Sequence, residues 1–304
     1  MRKTLFINTL VVLTSLLLCF SLSEFYFRFV YIESDGLGLS LSQKKWLEKY
    51  WKPINSFDFR DKEWSKNELK SKKTIALVGD SVVAGHGIEN VKDRFADILA
   101  SNLGNKYAVV NLANPGWGTQ TEWVILKLYP HDFDTIIWSY FPNDILDTAN
   151  QLGRKSPCEI SNPDGLLGRV IQLSHFLNFA YWNIYRATKL NDEYFDWLKS
   201  QYDDKATWSL HKQELELVAN FVKDKNLIII IFPFLNKMEE SLSITNKVKN
   251  YFNAKGVKVV DVYQLASNLN KQDLVVSKID AHPSKKLHHL IGNKLYKTIK
   301  DSEI

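Results

Sequence analysis

Thr74-Ile75-Ala76-Leu77-Val78-Gly79-Asp80-Ser81-Val82-Val83-Ala84-Gly85 is the stretch from which the fold is read. It opens as a short, unbroken apolar run and stops at a glycine. Such a run is too short for a helix and too uniformly apolar for a half-exposed strand. It predicts a strand buried on both faces of a parallel sheet. Ser81 follows at once, at the carboxyl edge of that sheet, where open α/β folds bind their ligands. A serine there presents its hydroxyl, and the next helix offers free backbone N–H groups. Alone, the same residues also describe a tight turn in which Asp80 and Ser81 cap the following segment.

Working outward, similar apolar runs recur at 108–112, 135–138, 227–232 and 257–260. Between and after them, 91–103, 210–223 and 285–299 space their apolar residues as one face of a helix, for example Leu287, Leu290, Ile291, Leu295 and Ile299. Alternating strands and helices predict a three-layer α/β/α sandwich around a central parallel sheet. The segment 148–208 breaks that rhythm. It is long for a connection and rich in aromatics, among them Phe176, Phe179, Tyr181, Trp182, Tyr185, Phe195, Trp197, Tyr202 and Trp208. It reads as a helical insertion, either with a private aromatic core or as a cap lining an acyl or glycan pocket.

Each later strand exit carries residues suited to one chemistry. The second ends in Asn111-Leu112-Ala113-Asn114-Pro115-Gly116, where a glycine lets backbone approach a ligand and point an N–H at it. The third ends in Ser139-Tyr140-Phe141-Pro142-Asn143-Asp144, where an uncharged amide can donate to a developing oxyanion. Before the last helix stands Ile279-Asp280-Ala281-His282-Pro283-Ser284, a histidine in a loop with an acidic neighbour, as a base oriented by a carboxylate requires. Asp280 has the competing reading of a helix cap or backbone acceptor. His86 follows Gly85 close to Ser81, with a surface role expected and a pocket-lining one as the alternative; His288 and His289 are expected in a helix with one at most facing inward, and Asp144 in a structural role.

With these blocks in order, the sequence resembles the SGNH/GDSL hydrolase superfamily over about 57–299. The G-D-S block maps to Gly79-Asp80-Ser81, the glycine block to Gly116, the N-D block to Asn143-Asp144, and the D/H block to Asp280 and His282. The last departs from the commonest family spacing, since Ile279 stands three residues before the histidine and the acid two before it. The resemblance implies a five-stranded flavodoxin-like sheet of order 2-1-3-4-5. It implies a catalytic set of Ser81, His282 and Asp280, and an oxyanion hole of the Ser81 and Gly116 N–H groups with the Asn143 amide. It implies an esterase acting on O-acyl esters without cofactor or metal. An O-acyltransferase using the same site, or an inactive glycan-binding or envelope-assembly protein, are the alternatives.

The N-terminus bears on location. Met1-Arg2-Lys3 is positive and residues 4–23 carry no charge. That is long enough to cross a hydrocarbon core of about 30 Å. The preceding positive residues predict a cytoplasmic start and an exported body. Ser21-Leu22-Ser23 would suit signal cleavage, after which the body would be secreted. Apolar and aromatic character resumes at Phe25, Tyr26, Phe27, Phe29, Val30 and Tyr31, as in an interfacial belt, and favours a retained anchor. A lipoprotein is disfavoured because Leu18 precedes Cys19. The chain thus divides into an anchor or signal peptide at 1–32, a linker at 33–73, and the SGNH domain at 74–304 with its insertion.

Composition narrows the remainder. The chain has 304 residues, 45% hydrophobic and 24% charged, with a net charge of +5 and two cysteines. These values suit one globular catalytic domain plus appendages. Lys66, Lys70, Lys72 and Lys73 are interrupted by Glu68 and read as a solvated linker rather than a nucleic-acid surface. No zinc-ligand spacing and no phosphate-binding G-x-x-x-x-G-K loop occurs. The expected partners are an ester-bearing carbohydrate or lipid and the membrane.

Overall fold

The structure is a computed structural model that describes residues 2–158, 161–185 and 192–301. It forms two compact units, Met1–Lys49 with Cys158–Asn191, and Tyr50–Pro157 with Asp192–Ile304. The larger unit is built on strands β1 (Lys73–Gly79), β2 (Tyr107–Ala113), β3 (Thr135–Tyr140), β4 (Asn226–Ile231) and β5 (Lys258–Asp261). All neighbours are parallel, in the order β2-β1-β3-β4-β5, which is the order the resemblance implies. Each strand lies within two residues of its predicted apolar run.

The alternation of side chains along each strand assigns the two faces. Ile75, Leu77, Val109, Ile137, Ile228 and Ile230 turn to one side and pack with helices Phe95–Leu103 and Lys285–Lys300 through Phe95, Leu99, Leu287, Ile291 and Leu295. Ala76, Val78, Val110, Ile136, Trp138 and Ile229 turn to the other side. They meet helices Thr119–Leu128, Glu193–Asp203, Lys205–Phe221 and Leu242–Asn253 through Leu126, Leu198, Leu215, Val218 and Val248. Burial on both faces is why the strands read as continuous apolar runs. Truncating one of these core leucines to alanine costs about 2–5 kcal/mol.

The predicted helix at 91–103 is broken. Arg94 takes an extended conformation between a short turn at Val91–Asp93 and the helix Phe95–Leu103. Its buried guanidinium donates to Arg60 O and Ala84 O, and its Nε bonds Asp97 Oδ2 at 2.8 Å. Those partners hold the chain out of the helix.

The segment 148–208 is divided between the units, with Cys158–Asn191 in the smaller and the rest in the larger. Residues 159–160 and 186–191 of it lie outside the described residues. Its later aromatics belong to the larger unit, where Tyr202 is buried and its hydroxyl donates to Pro142 O at 2.8 Å. Its earlier part forms helices Gly165–Leu173 and His175–Tyr185 in the smaller unit. That unit also holds the N-terminal helix Arg2–Phe25, which runs on through a π-turn at Tyr26–Val30. The stretch Arg2–Val30 is long and apolar enough to cross a membrane, with mean hydropathy 2.3.

Candidate active site

The register of the sheet places the site. Gly79 at the end of β1 lies beside Ala113 at the end of β2, and Val78 lies beside Trp138 near the end of β3. Ser81, Gly116 and Asn143 each follow within three residues of these strand ends. At Gly79 an added Cβ would come within 2.4 Å of Val83, so only glycine allows the chain to fold back so tightly. Asp80 then caps the four-residue helix Ser81–Ala84, its Oδ1 accepting from Val82 N at 2.9 Å.

That helix ends at Gly85, which is left-handed at φ 75°. His86 N donates back to Ser81 O at 2.9 Å, closing the turn. The turn is held from beneath by Arg60, whose buried guanidinium donates to Gly85 O and Ile88 O, each at 2.6 Å, and to Tyr50 O at 2.8 Å. From the β2 side, Asn111 Nδ2 donates to Val83 O at 2.9 Å, while Asn111 N donates to Asp61 Oδ2. Arg60, which sequence reading leaves in the 33–73 linker, thus supports the serine turn directly, and Asp61 from the same linker supports it through Asn111.

Asp280 and His282 arrive from the loop before the Lys285–Lys300 helix. Ser284 caps that helix by accepting from Leu287 N, so Asp280 is free of the capping role. Asp280 Oδ1 lies 2.6 Å from His282 Nδ1 and also accepts from His282 N at 3.0 Å. On the other side of the ring, His282 Nε2 lies 2.8 Å from Ser81 Oγ. The carboxylate sets the tautomer: with the proton on Nδ1 facing Asp280, Nε2 is left to accept the serine hydroxyl. Asp280 is fully buried, whereas the His282 side chain is 15% exposed. The carboxylate is shielded while the imidazole reaches the surface.

His86 departs from expectation. It is only 5% exposed, and its ring stacks on His282 with centroids 4.3 Å apart at 26°. Its Nε2 stands 3.9 Å from Asp280 Oδ2. Behind it, Trp51 packs edge-on at 6.3 Å and carries the Arg60 guanidinium 4.8 Å over its own ring. The signal for this was local. A left-handed glycine closing the serine helix turns residue 86 back beside residue 81. Gly87 continues the approach, for a Cβ there would meet Asp280 Oδ2 at 2.8 Å.

His86, Asp280 and His282 form the single group among the described residues whose ligand atoms could surround a metal ion. Near-parallel rings aim their in-plane lone pairs side by side rather than at one point. Within the group, Asp280 and His282 are hydrogen-bonded, whereas His86 stacks on His282 with its Nε2 3.9 Å from Asp280.

Gly116 takes φ 82°, and nothing lies within 4 Å of where a side chain would begin. Asn143 sits in a single 3₁₀ turn, Pro142–Ile145. The loops that carry these residues are tied together, with Thr119 Oγ1 donating to Asp144 Oδ2 at 3.4 Å. Beneath them is a buried acid group not foreseen from sequence. Glu122 accepts from Trp138 Nε1 at 2.6 Å, and burial drives its carboxyl well above the usual range, with Asp80 adding repulsion. Burial, then the charges of Glu122 and Asp80, drives Asp144 up likewise, while burial raises Asp80. Asp144 therefore serves beneath the loop, as expected. Of the two histidines expected on the last helix, His288 faces inward and accepts from Phe95 N at 3.1 Å, and burial lowers it to about 3. His289 is exposed.

No protein-family model and no curated protein matches this chain. Among solved structures, it is similar to a lipolytic protein of the G-D-S-L family from Veillonella parvula, at 15% identity and TM-score 0.46, covering 75% of this chain and 98% of the other. It is similar to a lipase/acylhydrolase from Enterococcus faecalis at 14% and 0.47, covering 76% and 96%. A carbohydrate acetylesterase family member from Sinorhizobium meliloti matches at 13% and 0.42, covering 75% and 98%. The sheet order, and the serine, histidine and aspartate brought together at its carboxyl edge, are those the SGNH/GDSL resemblance implies.

Proposed function

We propose that the chain is a serine ester hydrolase of the SGNH/GDSL type, with Ser81 as nucleophile, His282 as general base and Asp280 orienting it. One observation carries the reading: the unbroken line from Asp280 Oδ1 through His282 to Ser81 Oγ, with gaps of 2.6 and 2.8 Å. In this mechanism His282 Nε2 takes the hydroxyl proton as Oγ bonds to the ester carbonyl carbon. The carbonyl oxygen becomes an oxyanion, which the Ser81 and Gly116 N–H groups and the Asn143 amide stabilise. Each such donor is worth about 3–4 kcal/mol in comparable sites. The C–O bond to the alcohol then breaks, and the imidazolium returns its proton to the leaving oxygen. Water repeats the sequence on the acyl-enzyme and releases the acid.

The substrate class follows from location. A positive N-terminus before the Arg2–Val30 helix supports an anchored body outside the cytoplasm. There, O-acyl esters of envelope or secreted polysaccharide are the proposed targets.

The test is a panel of acetylated sugars and p-nitrophenyl esters, each with and without an acceptor alcohol, together with labelling by a fluorophosphonate. Wild type is expected to label and to release free acid, and Ser81→Ala to do neither. Acyl groups appearing chiefly on the acceptor would reassign the site to acyl transfer. Folded wild-type protein that neither labels nor turns over would leave a binding module.

A further inference from the structure

In the smaller unit, the first part of the insertion is fastened to the end of the membrane-length helix. Glu24 caps the helix His175–Tyr185, accepting from Ser174 Oγ at 2.7 Å, Phe176 N at 3.0 Å and His175 N at 3.1 Å. Arg28 Nη2 donates to Leu173 O at 2.9 Å. Phe27 stacks on Phe179 with centroids 4.3 Å apart, and Phe20 meets Phe176 edge-on at 5.9 Å. Lys45 Nζ closes the end of the N-terminal helix by donating to Phe27 O, Arg28 O and Tyr31 O at 2.6–2.9 Å.

Counted from Thr4 at ~1.5 Å per residue, a core of about 30 Å ends near residue 23. Phe20 and Glu24 therefore lie at its far boundary. The residues that grip them hold the insertion at the depth where acyl chains give way to headgroups. Just before that grip comes the helix Gly165–Leu173, with an outward apolar ridge. Leu166 is 80% exposed, Leu167 69%, Val170 43% and Leu173 73%. Gly168 and Ile171 form its buried side. At the end of the N-terminal helix, Phe25, Tyr26, Phe29 and Val30 are likewise exposed.

We propose that the helix Gly165–Leu173 is a second membrane contact, an amphipathic segment whose Leu166, Leu167, Val170 and Leu173 enter the lipid interface beside the anchor. Its occupant is lipid because Arg28, at the end of the membrane-length helix Arg2–Val30, holds the last turn of the ridge at Leu173 O. An amphipathic helix of this kind lies in the interface plane and buries its apolar face in the acyl boundary. A spanning helix alone leaves the protein body free to swivel about it. A second contact fixes the orientation of the smaller unit against the bilayer. The inference rests on the anchor being retained.

The experiment uses the full chain in phosphatidylcholine vesicles, with an environment-sensitive NBD label and a lipid-borne doxyl quencher placed shallowly in the acyl region. One sample carries the label on native Cys19, which is exposed on the N-terminal helix. A second carries it on Leu167→Cys in a Cys19→Ser background, with Cys158 left buried and unreactive. Both labels are expected to lose on the order of half their emission, since interfacial burial of roughly 5–10 Å brings residue 167 beside the quencher. Quenching at Cys19 without quenching at residue 167 overturns the second contact while leaving the anchor intact. Lack of quenching at both overturns the anchor reading itself. A residue-167 label that is blue-shifted yet insensitive to the quencher assigns the ridge to a protein partner or a second copy, and also overturns the proposal.

Discussion

Two histidine–carboxylate pairs in the larger unit differ mainly in what lies on their open side. His282 and Asp280 meet at 2.6 Å in a loop at the carboxyl edge of the sheet, and the other ring nitrogen faces Ser81. His211 and Glu214 meet at 2.9 Å, one turn apart on the helix Lys205–Phe221. There the other ring nitrogen lies 2.8 Å from Tyr140 Oη, which in turn lies 2.5 Å from Tyr202 Oη. Thr148 and Gln120 complete that network by donating to Glu214 at 2.7 and 2.6 Å. His211 is fully buried. A histidine oriented by an acid is therefore not in itself a catalytic signature. Chemistry requires that its second nitrogen meet a nucleophile at a surface substrate can reach. When every partner is internal, the same pair serves as a bolt between a strand end and four helices.

The sharpest way to break this contrast is to delete one member of each pair. Ser81→Ala and His282→Ala are expected to lower kcat/KM on p-nitrophenyl acetate by about 10³–10⁴-fold or more, and Asp280→Asn by a similar factor through the wrong tautomer. Their melting temperatures should stay close to wild type. An active, equally stable Asp280→Asn would remove the acid from the mechanism. His211→Ala should do the reverse. It removes a buried partner of Tyr140, Thr148 and Glu214 and is expected to cost about 1–3 kcal/mol in urea denaturation, with turnover per folded molecule kept. Loss of turnover at unchanged stability would make the sealed pair functional.

A third histidine sharpens the comparison through pH. His288 is held neutral by burial, at about 3. Between that value and the unfolded value of about 6.5 the unfolded chain binds the extra proton. Its contribution to stability is thus present above pH ~6.5 and lost as pH falls toward ~3, at up to about 1.4 kcal/mol per pH unit. His288→Gln keeps an acceptor for Phe95 N without a titrating ring, and its urea midpoint should fall less steeply over that range. Equal slopes would contradict the buried neutral state. The smallest effect is expected from His86→Ala, which removes the ring stacked on the base. A drop of about 3–10-fold in kcat/KM is expected. Unchanged kcat/KM would reduce His86 to packing.

Much of this was legible from residues alone because it is local. Five apolar runs between helical patterns announce a parallel sheet, since strands covered on both faces need apolar side chains at every position. The blocks around Ser81, Gly116, Asn143 and His282 each sit where their strand or helix boundary places them, so their identity survived translation into space. The neighbours that support them did not. His86 reads as a surface residue until a left-handed glycine folds it under the base. Arg60 and Asp61 read as linker until Arg60 is seen satisfying the backbone of the serine turn and Asp61 that of β2 at Asn111. The aromatic stretch reads as one insertion, yet its rings join two different cores, because aromatic composition does not say which partner a ring will meet.

Periodicity, strand exits and a charged start before an apolar helix belong to the amino-acid order by itself, because hydrophobic patterning and backbone hydrogen bonding act over a few residues. That order therefore determined the layers, the strands and the residues at their ends. Tertiary structure alone decided which of two similar histidines meets a serine, which acids are sealed beneath the loops, and that an insertion more than a hundred residues downstream grips the end of the N-terminal helix. Those outcomes depend on contacts between distant segments, whose geometry is set by how the whole core packs rather than by any single stretch of chain.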